Sequence, residues 1–108
     1  MVRAIYRWRV KPGEEEKFIQ AWIQGTAAIR VQVKGAGGSL LMRSHHEASE
    51  FMALACRHSM EDWQAFATES DSAPPDPEAF WAMGAVSEHL STELLEEVAD
   101  LLNCDSAG

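Results

Sequence analysis

Apolar and polar residues alternate from the start of the chain. Across residues 2–10, Ala4, Tyr6, Trp8 and Val10 fall on one face and Arg3, Arg7 and Arg9 on the other, where Ile5 is an apolar exception. A period of two carried by aromatic and β-branched residues predicts a strand. Lys11-Pro12-Gly13 ends it. From Glu14 to about Gln32 the period becomes helical: Phe18, Trp22, Gly25 or Thr26, and Ile29 form a stripe that Ile19 and Ile23 widen. Glu14, Glu15 and Glu16 suit the positive end of that helix.

Gly35-Ala36-Gly37-Gly38 is a turn, and Ser39 to Ser44 reads as a second strand. His45 to Ser49 is a polar hairpin loop. Glu50 to His58 is a third strand, so continuously apolar that it predicts a central position covered on both faces. Ser59 opens a second helix, with Asp62 where a capping box carries Glu or Gln. Trp63, Phe66 and Ala67 form its stripe. The prolines of Asp71 to Pro77 forbid regular structure there, and Glu78 to Val86 forms a short helix carrying Phe80, Trp81 and Met83. The last segment conflicts with itself. Leu90, Leu94, Leu95, Val98, Leu101 and Leu102 repeat at helical spacing, and Ser91 could cap such a helix. The preceding order β-α-β-β-α instead calls for a final strand that completes a ferredoxin-like split βαβ pattern.

Composition bounds what this pattern can serve. A chain of 108 residues and 12.0 kDa is one domain, read here as residues 1–102 with a short polar tail at 103–108. So short a chain hides only roughly 60–70% of its unfolded surface, which favours a partner subunit. The net charge of −8 excludes nucleic acid and anionic membrane surfaces as partners. That total conceals a split: residues 1–60 hold all nine basic side chains and five acidic ones, whereas residues 61–108 hold twelve acidic and no basic ones. No apolar run is long enough to span a bilayer, and the first residues place charges where a signal peptide needs apolar ones. Cys56 and Cys104 do not make a disulfide framework. A reduced, cytoplasmic protein is expected.

Three segments together resemble the antibiotic biosynthesis monooxygenase family of the dimeric α+β barrel group. They are Val10-Lys11-Pro12-Gly13 with the acidic helix start behind it, Val33 to Ser44 (V-K-G-A-G-G-S-L-L-M-R-S), and Glu50 to Phe66 (E-F-M-A-L-A-C-R-H-S-M-E-D-W-Q-A-F). The resemblance implies an α+β, ferredoxin-like βαββαβ subunit with an antiparallel sheet, pairing as a homodimer into a barrel, with a small pocket between sheet and helices. It also implies that residues 92–99 form the final strand. Family members include cofactor-free oxygenases of phenolic or quinol-like substrates, heme-degrading enzymes and proteins without demonstrated activity. The heme-degrading type uses an Asn on the first strand, a Trp on the second helix and a downstream His. Here the first strand lacks Asn, Phe66 stands in place of that Trp, and no His lies between His58 and His89. The cofactor-free type often keeps a Trp where this chain has Arg57.

The residues that can carry chemistry are few. Trp8, Trp22, Trp63, Phe66 and Trp81 could wall a pocket for a flat aromatic ligand, or serve as core and interface packing. His58, at the end of the third strand, is the candidate general base for deprotonating a phenol. Arg57 and Arg43 are candidates to hold a substrate oxygen. His45 and His46, adjacent on extended chain, point opposite ways and chelate poorly, so no metal site is expected, nor any cofactor. Cys56 reads as a packed thiol. The resulting expectation is a cofactor-independent monooxygenase of a small aromatic substrate; the alternative is a non-catalytic dimeric module that binds a small apolar molecule, with heme degradation third. In the ferredoxin-like arrangement the final strand lies beside the first, setting Glu93, Glu96, Glu97 and Asp100 near Arg3, Arg7 and Arg9.

Overall fold

A computed structural model describes residues 1–70 and 74–102; the polar tail at 103–108, with Cys104, and residues 71–73 of the proline segment lie outside the described residues. The chain runs β1 (Val2–Val10), α1 (Glu15–Gln32), β2 (Ala36–Arg43), β3 (Glu50–Arg57), α2 (Met60–Ser70), α3 (Pro77–Val86) and β4 (Ser87–Glu96). The strands form one sheet in the order β2-β3-β1-β4, with every neighbouring pair antiparallel. This is the expected ferredoxin-like α+β subunit, with α3 inserted before the last strand. No helix among the described residues is long and apolar enough to cross a membrane.

The conflict at the C-terminus resolves as strand. β4 begins directly after α3, earlier than the expected 92–99, and it ends at Glu96. Once β3 has paired with one side of β1, the other side exposes a row of backbone donors and acceptors that need partners. β4 supplies them. The pairing is prolonged at both ends, where Lys11 N–H donates to Val86 O (2.8 Å) and Glu97 N–H to Met1 O (2.9 Å). Helical leucine spacing does not survive this context: Leu94 pairs with Ala4 and Leu95 with Arg3, on opposite faces of the sheet.

The charge split closes the same edge. Arg3 Nε donates to Glu97 Oε1 at 2.7 Å and reaches Asp100 at 3.4 Å, while Arg7 lies 4.0 Å from Glu93. Arg9 lies 3.9 Å from Glu88 and 3.8 Å from Glu50. Glu88 thus takes a partner's place where Glu96 was expected. The Glu97 hydrogen bond holds the Arg3 guanidinium above its ordinary pKa, with Cys56, Glu97 and Asp100 adding attraction.

Side-chain caps fix the starts of α2 and α3, the first at the Ser59 that the sequence indicates. Ser59 Oγ accepts from Asp62 N–H at 3.1 Å, and Asp76 Oδ1 accepts from Ala79 N–H at 3.2 Å with Pro77 opening α3. Gly35, with φ of 77°, ends the turn before β2 and accepts from His58 N–H at 3.0 Å. A Cβ there would collide with the Asp62 carboxylate.

All three helices lie on one face of the sheet. Phe18 and Ala21 of α1 and Met83 of α3 join Val10 and Phe51 in the core, and Phe66 of α2 meets Arg57. Along β3, Phe51, Ala53, Ala55 and Arg57 are buried on this inner face. The outer face carries Ile5, Leu54 and Leu40 in one paired row and Arg7, Met52 and Met42 in the next. Leu40, Met42 and Leu95 there are 41%, 39% and 44% exposed.

Candidate functional site

The core is lopsided. Large side chains (Val10, Phe18, Phe51, Met83) fill the end of the sheet near the β1 terminus. Towards the other end β3 offers only Ala53 and Ala55 before Arg57, and α1 and α3 offer Gly25 and Gly84. Small residues under a helical layer leave space, and a cavity of about 320 Å³ results. That is the small end of the usual range for ligand pockets. Its floor is Tyr6 and Trp8 of β1, Ser39 of β2, Ala53, Ala55 and Arg57 of β3, and Ser87 and His89 of β4. Its walls are Trp22, Gly25, Thr26 and Ile29 of α1, Phe66 of α2, and Phe80, Met83 and Gly84 of α3.

Aromatic rings define its shape. Tyr6 and Trp8 lie nearly parallel, 5.9 Å apart with 20° between their planes. Trp8 meets Phe18 edge-on at 5.3 Å, which anchors the indole to the core. The Trp63 indole N–H donates to the Tyr6 hydroxyl at 3.0 Å. A phenol hydroxyl that accepts in this way can still donate its own proton.

Three groups able to carry charge or move a proton line this apolar space: buried Arg57, Tyr6, and His89 at its exposed rim. Arg57 is 2% exposed. Its Nη1 donates to Cys56 O at 2.9 Å, its Cζ sits 5.1 Å from the Phe66 ring centre, and its Nε has no acceptor among the described residues. Burial pulls the guanidinium below its ordinary pKa, opposed by attraction from Tyr6 and Cys56. His89 lies 6.2 Å from Trp8 and 6.5 Å from Tyr6 by ring centre, and its Nε2 is 2.8 Å from Thr92 Oγ1. The phenol of Tyr6 is the third. Together they can bind a flat molecule, polarise an oxygen on it and move a proton.

A bulge aims His89. Arg7 pairs with Ser91 and Trp8 with His89, so Leu90 is extra. In an unbroken ladder Leu90 would face Trp8 on the inner side, and His89 would lie opposite Arg9 on the outer side. Bulges re-aim side chains in this way.

The site residues read from sequence divide. Arg57, Trp8, Trp22 and Phe66 are brought together in the cavity. Trp63 stands behind it, bonded to Tyr6. Trp81, on α3, is 71% exposed and does not line it. Arg43 is exposed at the end of β2, stacked 4.9 Å over Phe51, and His58 is exposed just beyond β3; neither lines the cavity.

No protein-family model matches the sequence, and no curated protein matches it. Solved structures do. SnoaB, a cofactor-independent oxygenase from Streptomyces nogalater, superimposes with a TM-score of 0.73 at 18% identity, covering 94% of this chain and 97% of that one. A candidate antibiotic biosynthesis monooxygenase from Bordetella bronchiseptica gives a TM-score of 0.75 at 18% identity, over 91% and 97% of the two chains. Another, from Caulobacter crescentus CB15, gives 0.74 at 19% identity, over 91% and 90%. This is the antibiotic biosynthesis monooxygenase fold.

Within this monooxygenase fold, the residues that sequence reasoning missed are Tyr6 and His89. Tyr6 carries a visible signal, because it shares the inner face of β1 with Trp8. His89 carries none, since its direction depends on the bulge.

Proposed function

We propose that the chain is a cofactor-independent monooxygenase that oxidises a small phenol- or quinol-like aromatic substrate with O2. The observation that carries this reading is the convergence of Arg57, His89 and Tyr6 on one aromatic-walled cavity, in the fold shared with SnoaB. His89 accepts the substrate's phenolic proton, a role that the sequence suggested for His58. The positive charge of Arg57 in the same cavity favours the anionic form of the substrate. The electron-rich ring passes one electron to O2, and the two radicals join at a ring carbon as a peroxide. Protonation, then loss of the ring hydrogen with the outer oxygen as water, leaves a carbonyl. One oxygen atom of O2 enters the product and the other leaves as water.

The bare outer face supports a homodimer in the same reading. Ile5, Leu40, Met42, Met52 and Leu54 form an apolar patch flanked by Arg3, Arg7 and Glu93, a combination suited to a second copy of itself.

An oxygen electrode with a panel of hydroquinones and anthrones tests the activity. Uptake above the uncatalysed rate, lost in His89→Gln and delivering one 18O atom to the product, is expected. A flat response across the panel sinks the proposal.

A further inference from the structure

Among the described residues, the Arg57 guanidinium is a cation without a counter-ion. It is 2% exposed, and no carboxylate pairs with it among the described residues. Among the described residues, no acidic side chain lines the cavity. Arginine stays protonated at any physiological pH, and a buried charge without a partner is costly. The Phe66 face offsets part of that cost.

The unused donors have a direction. Nη1 is spent on the backbone oxygen of Cys56. Among the described residues, Nε has no acceptor and Nη1 makes the one hydrogen bond of the guanidinium, which leaves Nη2 open. The Nε–Nη2 edge is the side of a guanidinium whose two N–H bonds run parallel, which matches the two oxygens of a carboxylate. The rest of the space is set by flat apolar surfaces: Tyr6 and Trp8 lie nearly parallel, and Trp22, Phe66 and Phe80 close the walls.

We infer that the cavity's ligand is a planar aromatic carboxylate, bound with its carboxylate on the Nε–Nη2 edge of Arg57 and its ring against Tyr6 and Trp8. The ligand is then the missing counter-ion. This inference rests on the cavity being the ligand site of the reading above, and it adds a permanent negative charge to the substrate class. Arg57 acts here as a specificity residue that selects acids over their neutral analogues.

Calorimetric titration with 2-naphthoate, methyl 2-naphthoate and 2-naphthol tests it on the intact protein. A charge-assisted fork predicts that the acid binds about 10- to 100-fold more tightly than its ester or the naphthol. Arg57→Met should abolish that preference, and Arg57→Lys should keep only part of it. The comparison of acid with ester in the unaltered protein decides the matter even if a variant does not fold. Equal affinity for acid and ester, or a preference that survives in Arg57→Met, overturns the inference. Oxygen uptake separates the two readings. Arg57-dependent naphthoate binding upholds the charge selection even where no O2 is consumed. Oxidation of neutral quinols by a protein without preference for the acid overturns it and leaves the monooxygenase reading standing.

Discussion

Thr92 Oγ1 lies 2.8 Å from His89 Nε2, although three positions separate the two residues on one strand. In a regular strand residues at that spacing face opposite ways. The bulge at Leu90 turns both inward. Thr92 pairs with Tyr6 and His89 with Trp8, so the imidazole is held by its own strand beside the two parallel rings.

The first expectation concerns this hold. Under the proposed activity, His89→Gln removes the base and should lower turnover about 100-fold or more. Thr92→Val leaves the base but frees its ring, so the loss should be smaller, about 3- to 10-fold. Initial rates of O2 uptake measure both. An unchanged rate in His89→Gln would refute the assignment of the base.

Arg57→Met should stabilise the protein. It replaces a buried cation, unpaired among the described residues, by an apolar chain of similar length, a change that is neutral or favourable by about 1–4 kcal/mol in comparable cases. The Phe66 contact that is lost offsets ~0.5–1 kcal/mol. Urea denaturation measures the difference. A clear loss of stability would show that Arg57 is structural rather than poised for a ligand.

Gly84→Leu separates the cavity from the fold. A Cβ at Gly84 meets nothing within 4 Å, and the residue lines the cavity wall from within α3. Replacing a helical glycine should add about 0.5–1 kcal/mol of stability. The same side chain occupies ligand space, so binding of an aromatic probe should weaken at least about tenfold. A melting curve and a titration check the pair.

Leu54→Asp tests the outer face. Leu54 pairs with Ile5 on one side and Leu40 on the other, at the middle of the apolar patch. In the proposed homodimer a carboxylate there would be buried without a partner. Light scattering after size-exclusion chromatography should report a dimer for the parent and a monomer for the variant. A parent that is itself monomeric would remove the dimer from the reading.

Gly35→Ala should cost about 1–3 kcal/mol in urea denaturation. The residue has a positive φ, which disfavours any side chain, and the new Cβ would strike Asp62 at the start of α2. A cost within ~0.5 kcal/mol would mean that the turn relaxes freely.

Much of the fold could be read from the residues because local and global signals agree there. The alternation of Ala4, Tyr6, Trp8 and Val10 marked the inner face of β1, Ser59 marked the start of α2, and the ferredoxin-like topology that the family resemblance implied set the final strand beside β1, with the split of charge in agreement. β4 was harder to place. Its leucines repeat at helical spacing, and only the open edge of β1 makes that segment a strand. The site was half visible. Tryptophan content pointed to an aromatic pocket, but content does not say that Trp22 faces inward and Trp81 outward. The space itself comes from Ala53, Ala55, Gly25 and Gly84, residues that carry no chemical signal. His89 depended on one extra residue in a strand.

β3 serves two surfaces at once. Its odd-numbered residues, Ala53, Ala55 and Arg57, line the cavity, and its even-numbered ones, Met52 and Leu54, belong to the bare outer face. The two sets are interleaved residue by residue, so each can vary in composition without touching the other. They share one vulnerability. Losing or gaining a single residue in β3 would exchange them wholesale, putting Arg57 outside and Leu54 inside. Natural variants of this chain should therefore tolerate substitutions along β3 far better than any change in its length.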